Sequence, residues 1–75
     1  MVTEQQINEI ERNAVGIAEG FAEAPEGVDE TEALRVAWQH LIDTGMCWRL
    51  QGWFGRTAKS LIEQKFVLPY PRKRR

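Results

Sequence analysis

Soft metal ligands are nearly missing from this chain, which has one cysteine, Cys47, and one histidine, His40. A lone cysteine excludes an internal disulfide and fits a reducing compartment. The two side chains are too small a set to close a structural metal site. Ser60 is the sole serine, and no glycine elbow surrounds it. A place near a helix start would lower the pKa of Cys47, but no general base stands at a readable spacing from it. With the usual enzymatic constellations absent, the chain is expected to be no enzyme and to need no cofactor. Nor does any apolar run approach the length of a membrane span. The opening Met1-Val2-Thr3-Glu4 lacks the basic start and apolar core of a secretory signal. The expectation is a soluble, cytosolic protein without membrane contact.

At 75 residues the chain is expected to form one domain with a marginal core. Domains of this size gain stability from metals, disulfides or a partner chain. The first two are set aside above, so self-association remains, and a homodimer is one expectation. The formal net charge of −1 hides an asymmetry. Residues 1–33 hold nine acids and one base, net −8, while residues 34–75 hold nine bases and two acids, net +7. Halves of opposite sign attract within one molecule or between two.

Thr3 reads as a helix N-cap, with Gln6 completing a capping box and Val2 and Ile7 at the staple positions. Ile7, Ile10, Ala14, Ile17, Ala18 and Phe21 follow at helical spacing. A first helix is predicted from Thr3 to Glu19, fraying near Gly20, where glycine weakens it. Its acidic side, Glu4, Glu9, Glu11 and Glu19, reads plainly as a solvated face; the sharper reading is a nucleic-acid decoy. Ala22–Val28 is a linker, since Pro25 disfavours helix at Ala24 and Gly27 loosens the chain. Asp29 caps a second helix, with Glu32 at the box position. Ala33, Leu34, Ala37, Trp38, Leu41 and Ile42 form its apolar stripe, and Gly45 is the left-handed residue that ends it.

A third helix is predicted to begin within a few residues of Gly45, its face running Cys47, Leu50, Phe54, Ala58, Leu61 and Lys65. Gly52 and Gly55 interrupt that pattern, and the close approach of a helix or a Trp ring would account for them. A loop at Gln51-Gly52-Trp53 is the competing reading. Phe66-Val67-Leu68 is expected to fold back on the core, and Pro69 and Pro71 stop further helix. The predicted fold is all-α. It is a small three-helix domain over residues 1–68, built on a C-terminal antiparallel helical hairpin (29–64), with a disordered basic tail over 69–75.

Large rings are in surplus. Trp38, Trp48 and Trp53 all fall between Ala37 and Ile62. A core this small can hardly enclose three indoles together with Phe54 and Phe66. At least one indole is therefore expected at the surface, where Trp is strongly enriched in binding hot spots. Trp53, beside Phe54 and so pointing away from it around the helix, is the expected anchor for a partner, with Trp48, Arg49 and Arg56. The bland alternative is an exposed ring without a partner. Trp38, Asp43, Gly45, Gly52 and Gly55 are assigned structural roles. Asp43 and Arg56 stand at similar distances from the Gly45 turn and are expected to pair, with Gln39 and Gln51 bridging the same seam. His40 is read as a surface side chain and Cys47 as a small core residue. Arg72, Lys73, Arg74 and Arg75, with Lys65, would give salt-sensitive, sequence-blind affinity for nucleic acid; the plainer reading is a solubilising tail. A helix-turn-helix is rejected, because the helices are long for one glycine turn and few side chains would read bases.

One run of the sequence is specific: Ala37-Trp38-Gln39, Leu41-Ile42-Asp43-Thr44-Gly45, Trp48, Leu50-Gln51-Gly52, Gly55-Arg56, Ala58, Leu61-Ile62. It resembles a group of small uncharacterised bacteriophage and prophage proteins that share approximately AWQxLIDTGxxWxLQGxxGRxAxxLI. The likeness carries no activity. It implies a phage or prophage setting and action inside the host bacterial cell, in its cytoplasm. Together with small size, missing chemistry and surplus rings, it leads to an expected function. That function is non-enzymatic binding and occlusion of a host protein or protein–nucleic-acid complex, as an anti-defence or host-takeover inhibitor. A small nucleic-acid-binding regulator using the tail, and a homo-oligomeric structural protein, are the alternatives.

Overall fold

The computed structural model describes residues 2–70. Among them the order is α1 (Glu4–Arg12), α2 (Ala14–Glu19), α3 (Glu30–Asp43), a 3-10 turn (Met46–Trp48) and α4 (Gly52–Glu63). The fold is all-α, and no described helix is long and apolar enough to cross a membrane. The basic tail Arg72–Arg75 lies outside the described residues.

α1 opens on the capping box that its sequence spells. Thr3 Oγ1 accepts the Gln6 N–H at 3.1 Å, and Gln6 Oε1 accepts the Thr3 N–H at 2.9 Å. The helix does not run unbroken to Glu19. It breaks at Asn13, at φ −110° and ψ 23°. The cause is local: Asn13 Nδ2 donates to the Glu9 carbonyl at 3.1 Å, competing with the backbone ladder. Ile10, Ala14 and Ile17 still reach one core.

Where the sequence predicts fraying, Gly20 closes a cap instead. Gly20 is left-handed at φ 85°; its N–H donates to the Ile17 carbonyl at 3.1 Å, and the Phe21 N–H donates to the Gly16 carbonyl at 2.8 Å. This is a Schellman arrangement. It turns the chain so sharply that Phe21 leaves the apolar stripe assigned to it and stands 85% exposed. The linker is likewise tied down. Pro25 is buried, the Val28 N–H donates to the Pro25 carbonyl at 3.0 Å, and Gln6 Nε2 donates to the Glu26 carbonyl at 3.2 Å.

α3 is the central element, with Ala33, Ala37, Trp38, Leu41 and Ile42 buried. Asp29 caps it by accepting the Thr31 N–H at 3.0 Å. Glu32 does not complete a box; it pairs with Arg35 one turn on. α2 and α1 pack closely on α3, and the small side chains of Ala14, Ala33 and Ala37 in the core permit that approach. Gly45 ends the helix at φ 78°, as the sequence requires.

The next helix does not begin near Gly45. A helix running from Gly45 would put Gly52 in its interior, at a cost of about 1 kcal/mol relative to alanine. The chain takes the 3-10 turn instead, runs through Gln51 at ψ 154°, and starts α4 at Gly52. The backbones of α3 and α4 hardly approach each other. Over 29–64, where the sequence predicts two helices folded directly together, rings fill the space: Trp38 lies 5.8 Å from Phe54 and 6.3 Å from Trp53 between centroids.

Lys65, assigned by spacing to the core face, is exposed and left-handed at φ 65°. It occupies the turn position of a second Schellman cap, its N–H donating to the Ile62 carbonyl and the Phe66 N–H to the Leu61 carbonyl, both at 3.0 Å. The cap turns residues 66–68 back, and Val67 is buried. There Gln39 acts as a surrogate strand neighbour. Its Oε1 accepts the Leu68 N–H and its Nε2 donates to the Leu68 carbonyl, each at 2.8 Å.

Two stability predictions follow from these caps and clamps. A left-handed L-residue carries a cost of about 1 kcal/mol that glycine avoids, so Lys65→Gly should stabilise the chain. A thermal melt should rise by about 4–8 °C. Gln39→Ala removes both bonds to Leu68 and should destabilise by about 1–3 kcal/mol, with the Leu68 amide exchanging faster in hydrogen-exchange NMR. Unchanged exchange at Leu68 would show that the clamp holds nothing.

Candidate functional site

Two surfaces of the C-terminal half bear the side chains that sequence reasoning singled out. The first is a groove. α4 and its C-cap offer Trp53, Thr57, Leu61 and Gln64 at steps of three and four, and α3 offers Thr31, Leu34 and Trp38 at the same steps, so each set shares one helical face. With Ala18 of α2 and Phe66 of the return segment they line a space of 430 Å³. Trp38, buried, is its floor. Trp53 stands edge-on to Trp38 at 72° and stacks on Phe54 at 4.0 Å and 30°. The Arg35 guanidinium lies 5.1 Å from the Phe66 centroid, in cation–π range. Among the described residues no carboxylate, imidazole, amine or thiol lines the groove. It is suited to holding an apolar side chain rather than to moving a proton.

The second surface is Trp48, which is 53% exposed. Its ring lies on Gly55, where a Cβ would stand only 3.3 Å from Trp48 Cε3. Gly55 is thus the seat of the ring, which is the packing reason its place in a helical pattern requires. A Cβ on Gly52 would meet Arg56 Nη1 at 3.2 Å, so the Arg56 side chain folds back over the start of α4. Arg49, Arg56 and Lys59 are all exposed. Arg49 follows Trp48 in the chain, Arg56 follows its glycine seat, and Lys59 stands four residues beyond that glycine on the same helical face.

The sequence-predicted anchors are split between the two surfaces. Trp48, Arg49 and Arg56 belong to the exposed face, whereas Trp53 turns into the groove. Trp53 was expected to point away from Phe54 because adjacent residues diverge around a helix, but the two rings stack. Because α4 begins at Gly52, no preceding turn confines the ring, and it folds across its neighbour. Asp43 accepts from Gln39 Nε2 at 3.0 Å, while Arg56 reaches back along its own helix. His40 is half-buried, its Nδ1 3.7 Å from Glu11 Oε2, and links α3 to α1 when protonated. Leu34, Leu61 and Phe66 were not singled out as site residues, although the shared face of Leu61 with Trp53 was legible at helical spacing. Among the described residues no group of His, Cys, Asp and Glu is arranged to hold a metal.

Cys47 is buried in the core. Burial pushes its thiol above the ordinary value, against a smaller lowering from a backbone hydrogen bond, so the lowered pKa that a helix start suggests is not found. The folded state favours the neutral thiol. The unfolded chain therefore deprotonates first as pH rises, so the stability this thiol contributes is full below the ordinary thiol pKa and is lost as pH rises through the higher folded one. Iodoacetamide should label native Cys47 far more slowly than the denatured chain at neutral pH. Rapid native labelling would contradict the burial.

No curated protein and no solved structure matches the chain. A family model described as a domain of unknown function, DUF7417, matches residues 23–71. That span takes in α3, the 3-10 turn, α4 and the return segment, and with them Trp48, its glycine seat and nearly all of the groove. On the strength of this match, which runs through most of the chain, the protein belongs to the DUF7417 family, a domain of unknown function.

Proposed function

We propose that this protein is a non-enzymatic binder that occludes part of a macromolecular partner, with Trp48 as its anchor. The observation that carries the reading is the half-exposed Trp48 ring seated on Gly55 beside Arg49 and Arg56. An indole held in place loses little conformational freedom on binding, and Trp and Arg dominate interface hot spots. The exposed cations Arg49, Arg56 and Lys59 favour an acidic protein surface as the target. The non-enzymatic reading is supported by a groove that no titratable side chain of the described residues lines, and by a thiol that burial keeps neutral. The resemblance to phage and prophage proteins supports a host complex as the partner and the host cytoplasm as the place of action, in an anti-defence or host-takeover role.

Tagged full-length protein should capture a partner from host-bacterium lysate, read by quantitative mass spectrometry. Trp48→Ala should weaken that complex about 30-fold, the equivalent of roughly 2 kcal/mol. Arg49→Glu with Arg56→Glu should abolish its salt dependence as well as weaken it. A folded wild type that captures nothing, or one whose partner is held equally well by Trp48→Ala, overturns the reading.

A further inference from the structure

Phe21 is the most exposed large apolar side chain of the described residues, and the aromatic groove is open beside it. The Schellman cap at Gly20 holds Phe21 outward, one turn after Ala18, which lines the groove wall. Within one molecule the ring does not enter that groove. The charges around the two features are opposite. Exposed Glu19 and Glu23 flank Phe21, while Lys65 and Arg35, the latter shared with Glu32, flank Phe66 in the groove wall. A ring projected on an acidic rim thus lies close to an apolar slot with a basic rim.

We propose that two copies of this chain form a two-fold dimer in which each inserts Phe21 into the aromatic groove of the other. A two-fold interface requires that every contact be made twice, with donor and acceptor on the same surface. Ala18 and Phe21 supply that arrangement, because the slot begins within a turn of the ring that would fill its counterpart. In that exchange Glu19 and Glu23 beside each inserted ring approach Lys65 and Arg35 beside the groove that receives it. The groove's 430 Å³ and its apolar wall of Leu34, Leu61 and Phe66 suit a phenyl ring. The contact is independent of the Trp48 face. A monomeric Phe21→Ala protein can still be assayed for partner capture, so the two readings fail separately.

Sedimentation equilibrium of the full chain is the test. Wild type should show a monomer–dimer equilibrium that weakens with added salt. Phe21→Ala, at a side chain exposed enough to leave folding intact, should weaken dimerisation about 30-fold. Leu34→Glu, which blocks the groove, should do the same, with circular dichroism confirming that both variants fold. Mixing the two variants is decisive. Phe21→Ala retains a groove and Leu34→Glu retains a ring, so the mixed pair keeps one of two contacts while each variant alone keeps none. The heterodimer should therefore exceed both homodimers in native mass spectrometry. Several outcomes overturn the exchange: a wild type that stays monomeric up to about 1 mM; a dimer indifferent to Phe21→Ala; or a mixed pair no tighter than the variant homodimers. A monomer whose groove takes up a host protein, blocked by Leu34→Glu, assigns the groove to that protein and overturns it too.

Discussion

α3 buries Ala33, Ala37, Trp38, Leu41 and Ile42, and a helix apolar over so wide an arc must be covered from more than one side. α1 and α2 close on it from one direction through Ile10, Ala14 and Ile17. Cys47, Phe54, Ala58 and Val67 complete the same cluster from later in the chain. Trp38 belongs to both worlds: it is buried in the core and is also the floor of the groove. The hydrogen bonds from Gln39 to Leu68 fasten the return segment to the same helix. Loss of α3 would leave the other elements with little to pack on.

The second constraint is thickness. The shortest dimension of the domain is 19 Å, close to two helix diameters. A body so thin cannot seal a layer of indoles on both sides. The protein handles the excess in two ways. Trp53 is half sheltered by stacking on Phe54 and meeting Trp38 edge-on. Trp48 is left open but held, because Gly55 removes the one atom that would lift it off α4. Each solution leaves an apolar surface open to solvent, one a groove and the other a single flat ring.

Much of the fold was legible in the order of residues. Thr3 with Gln6, Asp29 and Gly45 mark helix ends by local hydrogen bonding and backbone conformation, which need no tertiary context. The stripe of α3 was legible because every turn of it faces core. The misreadings share a different cause. Asn13, Gly20 and Lys65 each reset the helical phase, and spacing arguments carried across such a residue assign Phe21 or Lys65 to the wrong face. The start of α4 was misjudged because apolar steps of three and four continue through a 3-10 turn that is not α-helical.

The candidate site was half legible for the same reason. Composition alone fixed that the rings outnumber what a small core can hold, since burial capacity depends on chain length and not on topology. Which ring would be left outside was decided only in three dimensions. Trp53 is sheltered because Phe54 and Trp38 meet it, and Trp48 is exposed because a helix start passes beneath it with a glycine at the point of contact. The pairing of Gln39 with Leu68, far apart in the chain, had no local marker. Local chemistry determines where helices begin and end; the side chains that are left at the surface are determined by which helices come to lie against one another.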